Sequence, residues 1–287
     1  MSSRLKDYVE LTKPRITWLI LMSTAVGYYF GHTGHWIFWP MLHALVGTGL
    51  IASGTAALNQ WYEREADVKM RRTHDRPLPS GRLRPSNAFW FGVALEVIGT
   101  LELWFGVNPL TAWLGIITIV LYLCAYTPLK QKTWWSTTIG AIPGAMPPLI
   151  GYAAAANSLT PAAWALYAIL FIWQFPHFYA IAWMYREDYS RAGIKMLPVV
   201  EPDGHSTARQ IVIYAVLLIP VSLLPMWLGM AGSIYTVGAL AMGLAFLYSG
   251  IRVSLERTRL RARHVLLASV IYLPVLYSLM VLNRTSL

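Results

Sequence analysis

The chain has 287 residues, of which 56% are hydrophobic and only 13% are charged, and its formal net charge is +10. Soluble domains carry about 25% charged residues, so this composition excludes an ordinary soluble protein and indicates an integral membrane protein. The single cysteine, Cys124, excludes a disulfide framework and a thiolate metal cluster.

Nine segments are apolar enough to be membrane helices, which need roughly 20 residues each. They are Ile16–Tyr29, Ile37–Leu58, Ala88–Gly106, Leu110–Pro128, Trp135–Ala155, Pro161–Trp183, Ile211–Met230, Ile234–Ile251 and Val265–Leu282. The polar residues 1–15 before them predict no cleaved signal peptide. We therefore predict an all-α integral membrane protein with about nine transmembrane helices, forming one domain over residues 1–287.

The basic residues are confined to alternate connections between these segments. Of the 23 Lys and Arg residues, 22 lie in the N-terminal tail or in loops at about 59–87, 129–134, 184–210 and 252–264, and only Arg284 lies on the other side. The positive-inside rule places this basic face in the cytoplasm, with the N-terminus inside and the C-terminus outside. The positive charge is thereby explained by topology, and we expect no nucleic-acid partner.

The second predicted span is followed directly by the sequence NQWYEREAD. On an α-helix, residues four apart advance by about 40°, so Asn59, Glu63 and Asp67 share one stripe. Carboxylate and amide oxygens suit Mg²⁺, which completes its shell with water and substrate phosphates. The stripe therefore predicts metal-assisted binding of a diphosphate. The alternative is a solvated helix end stabilised by pairs such as Glu65 with Lys69.

Two further loops on the same predicted face carry charged side chains. The loop after the sixth span contains Glu187 and Asp188, and the loop after the fourth contains Lys130 and Lys132 beside Tyr126. Lys and Arg neutralise phosphate oxygens, which favours an anion site at this surface. For Lys132 alone, a role in topology is the preferred interpretation.

Several blocks resemble the UbiA-type membrane prenyltransferases over nearly the whole chain. These blocks are LTKPRIT at Leu11–Thr17, the charged stretch Asn59–Gly81, YTPLK at Tyr126–Lys130, IGAIPGAMPPLIGY at Ile139–Tyr152, WQFPHFYAIAW at Trp173–Trp183 and YREDYSRAGIKMLPV at Tyr185–Val199. The last two are most similar to the protohaem IX farnesyltransferase branch. The resemblance implies a helical bundle around a central cavity.

The resemblance also implies an activity. Farnesyl diphosphate, its diphosphate held by Mg²⁺, would give its farnesyl group to a vinyl group of haem B, and water would complete the product, haem O. Haem is then a substrate and not a permanent cofactor. The resemblance further implies a location in the cell inner membrane, within the lipid bilayer, with the active site on the cytoplasmic side and a haem A synthase as a partner.

The resemblance assigns roles to individual residues. It implies metal-binding and catalytic roles for Asn59, Glu63 and Asp67. It implies diphosphate binding by Tyr126, Arg72, Arg76 and Lys130. Asp188 matches a second acidic motif with a catalytic role. Two departures from the family pattern stand out. Glu63 occupies a position where aspartate is frequent. Met184 and Ala192 flank Asp188 at four residues, so only Glu187 could add a carboxylate there, and we expect one well-made metal site.

His177 is the histidine that we assign to haem. It lies inside the sixth predicted span, where an ionisable group indicates a functional site. Iron ligation and contact with a propionate both remain open, and the alternative is a packing histidine. His43 is interpreted as structural, and loop or end positions hold His32, His35, His74, His205 and His264. Glu96 and Glu102 in the third span have no assigned role.

Two other functions compete with this one. A UbiA-type enzyme could prenylate a quinone precursor or another aromatic acceptor, but the WQFPHF block and the lone Asp188 disfavour it. A membrane transporter should place its binding groups near the middle of the membrane, often in paired repeats. Here the charged groups gather at one surface, and no such repeat is visible.

Overall fold

The structure is a computed structural model that describes residues 3–32 and 37–285. This described part of the chain is helical, and its one β pairing is an isolated bridge between Ala231 and Arg284. The helices are α1 (Ser3–Leu11), α2 (Pro14–Gly31), α3 (Phe38–Asp67), α4 (Pro85–Gly106), α5 (Pro109–Val120), a π-helix (Leu121–Tyr126), α6 (Thr127–Leu129), α7 (Ser136–Gly144), α8 (Met146–Ala156), α9 (Pro161–Met184), α10 (Arg186–Arg191), α11 (Leu197–Val200), α12 (His205–Trp227), α13 (Ser233–Leu255) and α14 (Arg259–Leu282). His35 lies outside the described residues.

All nine predicted segments are helical, and eight of them are long and apolar enough to cross a membrane. The chain is therefore an all-helical, multi-pass membrane protein. The first segment, α2, is the exception among the described helices. Its 18 residues include Arg15 and several Ser, Thr and Tyr side chains, which lower its apolar character.

The predicted loop boundaries were wrong in three places. Helix α3 continues past Leu58 to Asp67, because the Glu, Arg and Ala residues of this stretch favour a helix after the apolar run has ended. In the same way α12 begins at His205 and α14 at Arg259, each within a segment predicted as loop. The acidic stripe thus lies on a helix, in agreement with the prediction from its spacing.

The chain forms two compact units, the first comprising Met1–Leu159 with Asp188–Ile194. In this unit α3 packs against α4 and α2, and α2 packs against α8. Small residues allow the last contact, since a Cβ atom on Gly27 would overlap the carbonyl oxygen of Pro148 and one on Gly151 would overlap that of Thr24. Close approach of this kind is typical of helices in membranes.

Both carboxyl groups left unassigned in α4 have partners on α3. The Glu102 carboxylate lies 2.7 Å from Nδ1 of His43, and Thr55 donates a hydrogen bond of 3.1 Å to Glu96. Polar groups inside a membrane need such partners, because lipid offers none. These contacts join α3 to α4 and agree with the structural interpretation of His43.

The second unit comprises Thr160–Glu187 and Lys195–Leu287. Its four long helices form a closed circuit, in which α9 contacts α12, α12 contacts α13, α13 contacts α14 and α14 returns to α9. A buried hydrogen-bond chain fixes part of this packing: Tyr235 donates to the Ser222 carbonyl oxygen at 2.7 Å, and the Ser222 and Tyr272 hydroxyls lie 2.8 Å apart. The single domain, central cavity and orientation of the termini stay predictions.

Candidate active site

The acidic stripe of α3 points into the first unit. Asn59, Glu63 and Asp67 are 1%, 5% and 0% exposed. A solvated helix end would expose these side chains, so the alternative interpretation of the stripe was wrong. Burying charged groups is costly unless they are paired or bind a metal, and each of the three residues has a basic partner.

The basic partners come from three different segments of the chain. Lys130, just after α6, places its Nζ atom 2.9 Å from Oε1 of Glu63. Arg76, in the loop after α3, contacts Oδ2 of Asp67 at 2.8 Å. Lys13, at the start of α2, donates to Oδ1 of Asn59 at 3.2 Å. The structure therefore gathers two acids, one amide and three cations in one cluster.

One oxygen in this cluster has no protein partner among the described residues. The Oδ1 atom of Asp67 is buried and accepts no hydrogen bond, while its Oδ2 atom binds Arg76. A buried orphan carboxylate oxygen requires an explanation, and a bound cation supplies one. No group of three or more His, Cys, Asp or Glu side chains comes together in the described chain. The two carboxylates and the Asn59 amide nevertheless fit Mg²⁺, which uses few protein ligands.

Lys130 is held in a single protonation state by its surroundings. Burial alone would lower its pKa, but the Glu63 carboxylate more than offsets that effect and the pKa of Lys130 lies well above its usual value. Its Nζ atom also lies 5.0 Å from the centre of the Tyr126 ring, which itself packs edge-on against Tyr122 at 4.9 Å. Tyr126 ends the π-helix, a distortion that is frequent at functional sites.

The second acidic motif meets the loop that follows α3. The Asp188 carboxylate pairs with Arg191 and accepts a hydrogen bond of 3.4 Å from the backbone N–H of Arg71. Next to it, Arg72 donates to the Tyr189 hydroxyl at 2.7 Å and stacks on that ring at 4.8 Å. These contacts hold the loop that follows α3, with Arg71 and Arg72, against the second acidic motif. A direct catalytic role for Asp188 stays a prediction.

His177 belongs to the second unit and is held in one orientation. Its Nδ1 atom lies 2.8 Å from the Ser269 hydroxyl of α14, and the Trp173 ring stacks on it at 4.7 Å. Trp173 also donates to the Ser269 carbonyl oxygen at 2.9 Å. Within the described chain, Nε2 of His177 has no hydrogen-bond partner. Metal-binding histidines usually have one ring nitrogen held in this way by a hydrogen bond, which leaves the other nitrogen available as a ligand.

The comparison with protein families identifies the family of the chain. The profile described as the UbiA prenyltransferase family matches residues 20–273. The chain belongs to this family. The acidic stripe on α3 and its basic partners Lys130 and Arg76 lie within the matched residues of this UbiA prenyltransferase, and Lys13 lies just before them.

Two similar proteins indicate which branch of the UbiA family the chain resembles. A protoheme IX farnesyltransferase of Solibacter usitatus is 64% identical over 292 residues, covering 99% of this chain and 100% of that protein. A protein of the same name from Koribacter versatilis is 48% identical, with coverage of 99% and 95%. The resemblance to the haem branch is thereby confirmed.

Solved structures agree on the UbiA fold. A digeranylgeranylglyceryl phosphate synthase superposes with a TM-score of 0.81 at 18% identity, covering 97% of this chain and 98% of that one. A UbiA homolog from Archaeoglobus fulgidus, bound to GPP and Mg²⁺, gives a TM-score of 0.71 at 16% identity, with coverage of 96% and 99%. At these identities the likeness establishes the fold alone.

Lys13 is a residue of the candidate site of this UbiA prenyltransferase that sequence reasoning missed. It adopts a left-handed backbone conformation, with φ of 48°, which costs a non-glycine residue about 1 kcal/mol. Burial and the nearby Arg76 lower its pKa to about 7. An arriving diphosphate would favour the charged form of this lysine. The available signal was its place in the LTKPRIT block, directly before the proline that starts α2.

Proposed function

We propose that this protein transfers the farnesyl group of farnesyl diphosphate to a vinyl group of haem B, with addition of water, to give haem O and diphosphate. The observation that carries the proposal is the buried stripe with its orphan Asp67 oxygen and three adjacent cations. The acceptor is assigned by the relatives that bear the name protoheme IX farnesyltransferase. Quinone-precursor prenylation and transport are the less favoured alternatives.

The residues of α3 and their partners would hold the diphosphate. Asn59, Glu63 and Asp67 supply oxygen ligands for Mg²⁺, which when bound neutralises the leaving group and polarises its oxygens. The basic side chains of Lys13, Arg76 and Lys130 already lie within hydrogen-bond distance of this stripe. They are placed to neutralise the charge that develops on the diphosphate.

The reaction balances with farnesyl diphosphate, haem B and one water as its reactants. The C1–O bond of farnesyl diphosphate breaks, and its electron pair leaves with the diphosphate. The vinyl π-electrons of haem form a bond to C1, and the resulting cation on the porphyrin side takes up water, which then loses one proton. Burial of the stripe keeps bulk water from the first cation, which favours transfer to haem over hydrolysis.

Cellular placement follows from the same proposal. The basic cluster of the site lies at the membrane face that carries almost all Lys and Arg residues, so we place the site on the cytoplasmic side of the cell inner membrane. The product would pass to an enzyme that oxidises haem O further, a haem A synthase. Farnesyl diphosphate, haem B and the lipid bilayer are then its partners.

The direct test offers purified protein haem B, farnesyl diphosphate and Mg²⁺ and follows haem by mass spectrometry. We expect a haem product heavier by one farnesyl group and one water, with release of diphosphate that stops in EDTA. A parallel reaction offers 4-hydroxybenzoate. Prenylation of the benzoate alone would refute the haem acceptor, and absence of any metal-dependent diphosphate release would favour transport.

His177→Ala separates haem binding from diphosphate binding. We expect haem B affinity, measured by absorbance titration, to fall at least about tenfold, because truncation removes the side chain that Ser269 and Trp173 hold in place. Binding of farnesyl diphosphate with Mg²⁺ should stay unchanged, since the stripe belongs to the other unit. His264→Ala, at an exposed position of α14, is the control. Unchanged haem affinity in His177→Ala would contradict the assignment.

A further inference from the structure

We propose that three arginines of the second unit, Arg186, Arg257 and Arg259, form a binding site for the carboxylates of the porphyrin. We name this set the arginine cluster. The inference rests on the proposed function, because it takes haem B as the acceptor. It takes His177 as the iron ligand and adds the groups that recognise the two propionates.

The aromatic end of α9 assembles this cluster. The Arg186 guanidinium lies 4.5 Å from the centre of the Trp183 ring and donates to the Trp183 carbonyl oxygen at 3.1 Å. The indole N–H of Trp183 donates to the Arg257 carbonyl oxygen at 3.2 Å, which ties the α13–α14 loop to α9. Arg259 lies 5.8 Å from the centre of the Tyr185 ring. The three arginines thus contact residues at the C-terminal end of α9, Arg186 and Arg259 through their guanidinium groups and Arg257 through its backbone carbonyl.

The cluster lacks the carboxylate partners that neighbouring arginines have. In the same loop region, Glu256 pairs with Arg252 at 3.5 Å and with Arg261 at 2.7 Å. None of the three cluster arginines has an Asp or Glu oxygen within 4.0 Å in the described part of the chain, and Arg257 instead contacts Nδ1 of His205 at 3.3 Å. Guanidinium groups without a carboxylate partner suit an anion, because Arg binds carboxylates bidentately.

The cluster lies at a suitable separation from His177 on the same two helices. His177 is seven residues before the end of α9, about 10 Å along the axis, and Arg186 follows that end. On α14, Ser269, which holds His177, lies ten residues after Arg259, about 15 Å. The radius of a porphyrin and the length of an arginine side chain together span such a separation. A haem whose iron meets Nε2 of His177 can therefore extend its propionates towards these arginines.

The test compares haem B with its dimethyl ester, which keeps the iron and ring but lacks both carboxylate charges. The variant Arg257→Gln/Arg259→Gln removes two cluster charges, and Arg252→Gln/Arg261→Gln removes two charges from the same region at residues paired with Glu256. Affinities are measured by absorbance titration of the full-length protein in nanodiscs, with and without anionic lipid. We expect the cluster variant to bind haem B about tenfold more weakly and the ester as well as the unmodified protein does.

Each other outcome has a defined meaning. Equal weakening for haem B and its ester, or the same loss in the Arg252/Arg261 control, would overturn the carboxylate site. A variant that binds haem B normally but loses its dependence on anionic lipid would show that the cluster binds phospholipid headgroups instead. If the unmodified protein binds haem B tightly, each of these failures concerns the cluster alone. If the unmodified protein binds no haem B, the result refutes the proposed function itself.

Discussion

Asp67→Asn is expected to lower the rate of haem O formation by about a thousandfold, which corresponds to about 4 kcal/mol of transition-state stabilisation. The Asp67 carboxylate is the most buried acid of the site, and its Oδ1 atom is the one left without a protein partner. Asparagine keeps the shape and a carbonyl oxygen for Arg76 but removes the charge that attracts a divalent cation. The measurement is the initial rate at increasing Mg²⁺ concentration.

A matched control distinguishes lost metal binding from general damage. Asp75 lies in the loop after α3 and its side chain is 91% exposed, beside His74. Asp75→Asn therefore removes the same charge nearby, and we expect its rate to stay within twofold. The thermal midpoints of both variants should stay close to that of the unmodified protein. A rate for Asp67→Asn within tenfold of normal would contradict the metal role of this residue.

The parts of the molecule that were predictable follow from local rules. Lipid cannot satisfy backbone groups, so a membrane segment must be a long apolar helix. Hydropathy located nine segments that are helical, eight of which are long and apolar enough to cross a membrane. The spacing of Asn59, Glu63 and Asp67 fixed their common face as soon as the segment was helical. The same rule failed at the helix ends, because the polar turns that continue α3, α12 and α14 carry no apolar signal.

The parts that were not predictable depend on contacts between distant segments. Lys13 reaches Asn59 across 46 positions, and the backbone of Arg71 reaches Asp188 across 117. Neither contact leaves a periodic pattern in the sequence, because each depends on how separate helices pack. The sequence also could not show that Oδ1 of Asp67 has no hydrogen-bond partner, because this depends on the positions of all neighbouring side chains in the described structure. Sequence thus predicted the common face of the stripe, whose role as a set of metal ligands stays a prediction, and the structure added the basic partner of each residue.

Lys130→Gln is expected to lower both the stability and the rate, and these two effects can be separated. Lys130 and Glu63 form a pair whose side chains are only 15% and 7% exposed. Removing one member leaves the other charge buried, which costs about 3 kcal/mol of unfolding free energy. Loss of the cation beside the leaving diphosphate should also reduce turnover about a hundredfold or more. Lys132→Gln, at an exposed position two residues away, should change neither quantity.

The double variant Glu63→Gln/Lys130→Gln distinguishes a structural lysine from a catalytic one. Two neutral amides can hydrogen-bond to each other, so the thermal midpoint lost in Lys130→Gln should be largely regained. The rate should not recover, because neither the cation for the diphosphate nor the carboxylate for the metal is restored. Recovery of both stability and turnover would mean that the pair only maintains the fold. Stability regained with turnover still at about a hundredth of normal or below would show that the charges of the Glu63–Lys130 pair act in the reaction itself and not only in the fold.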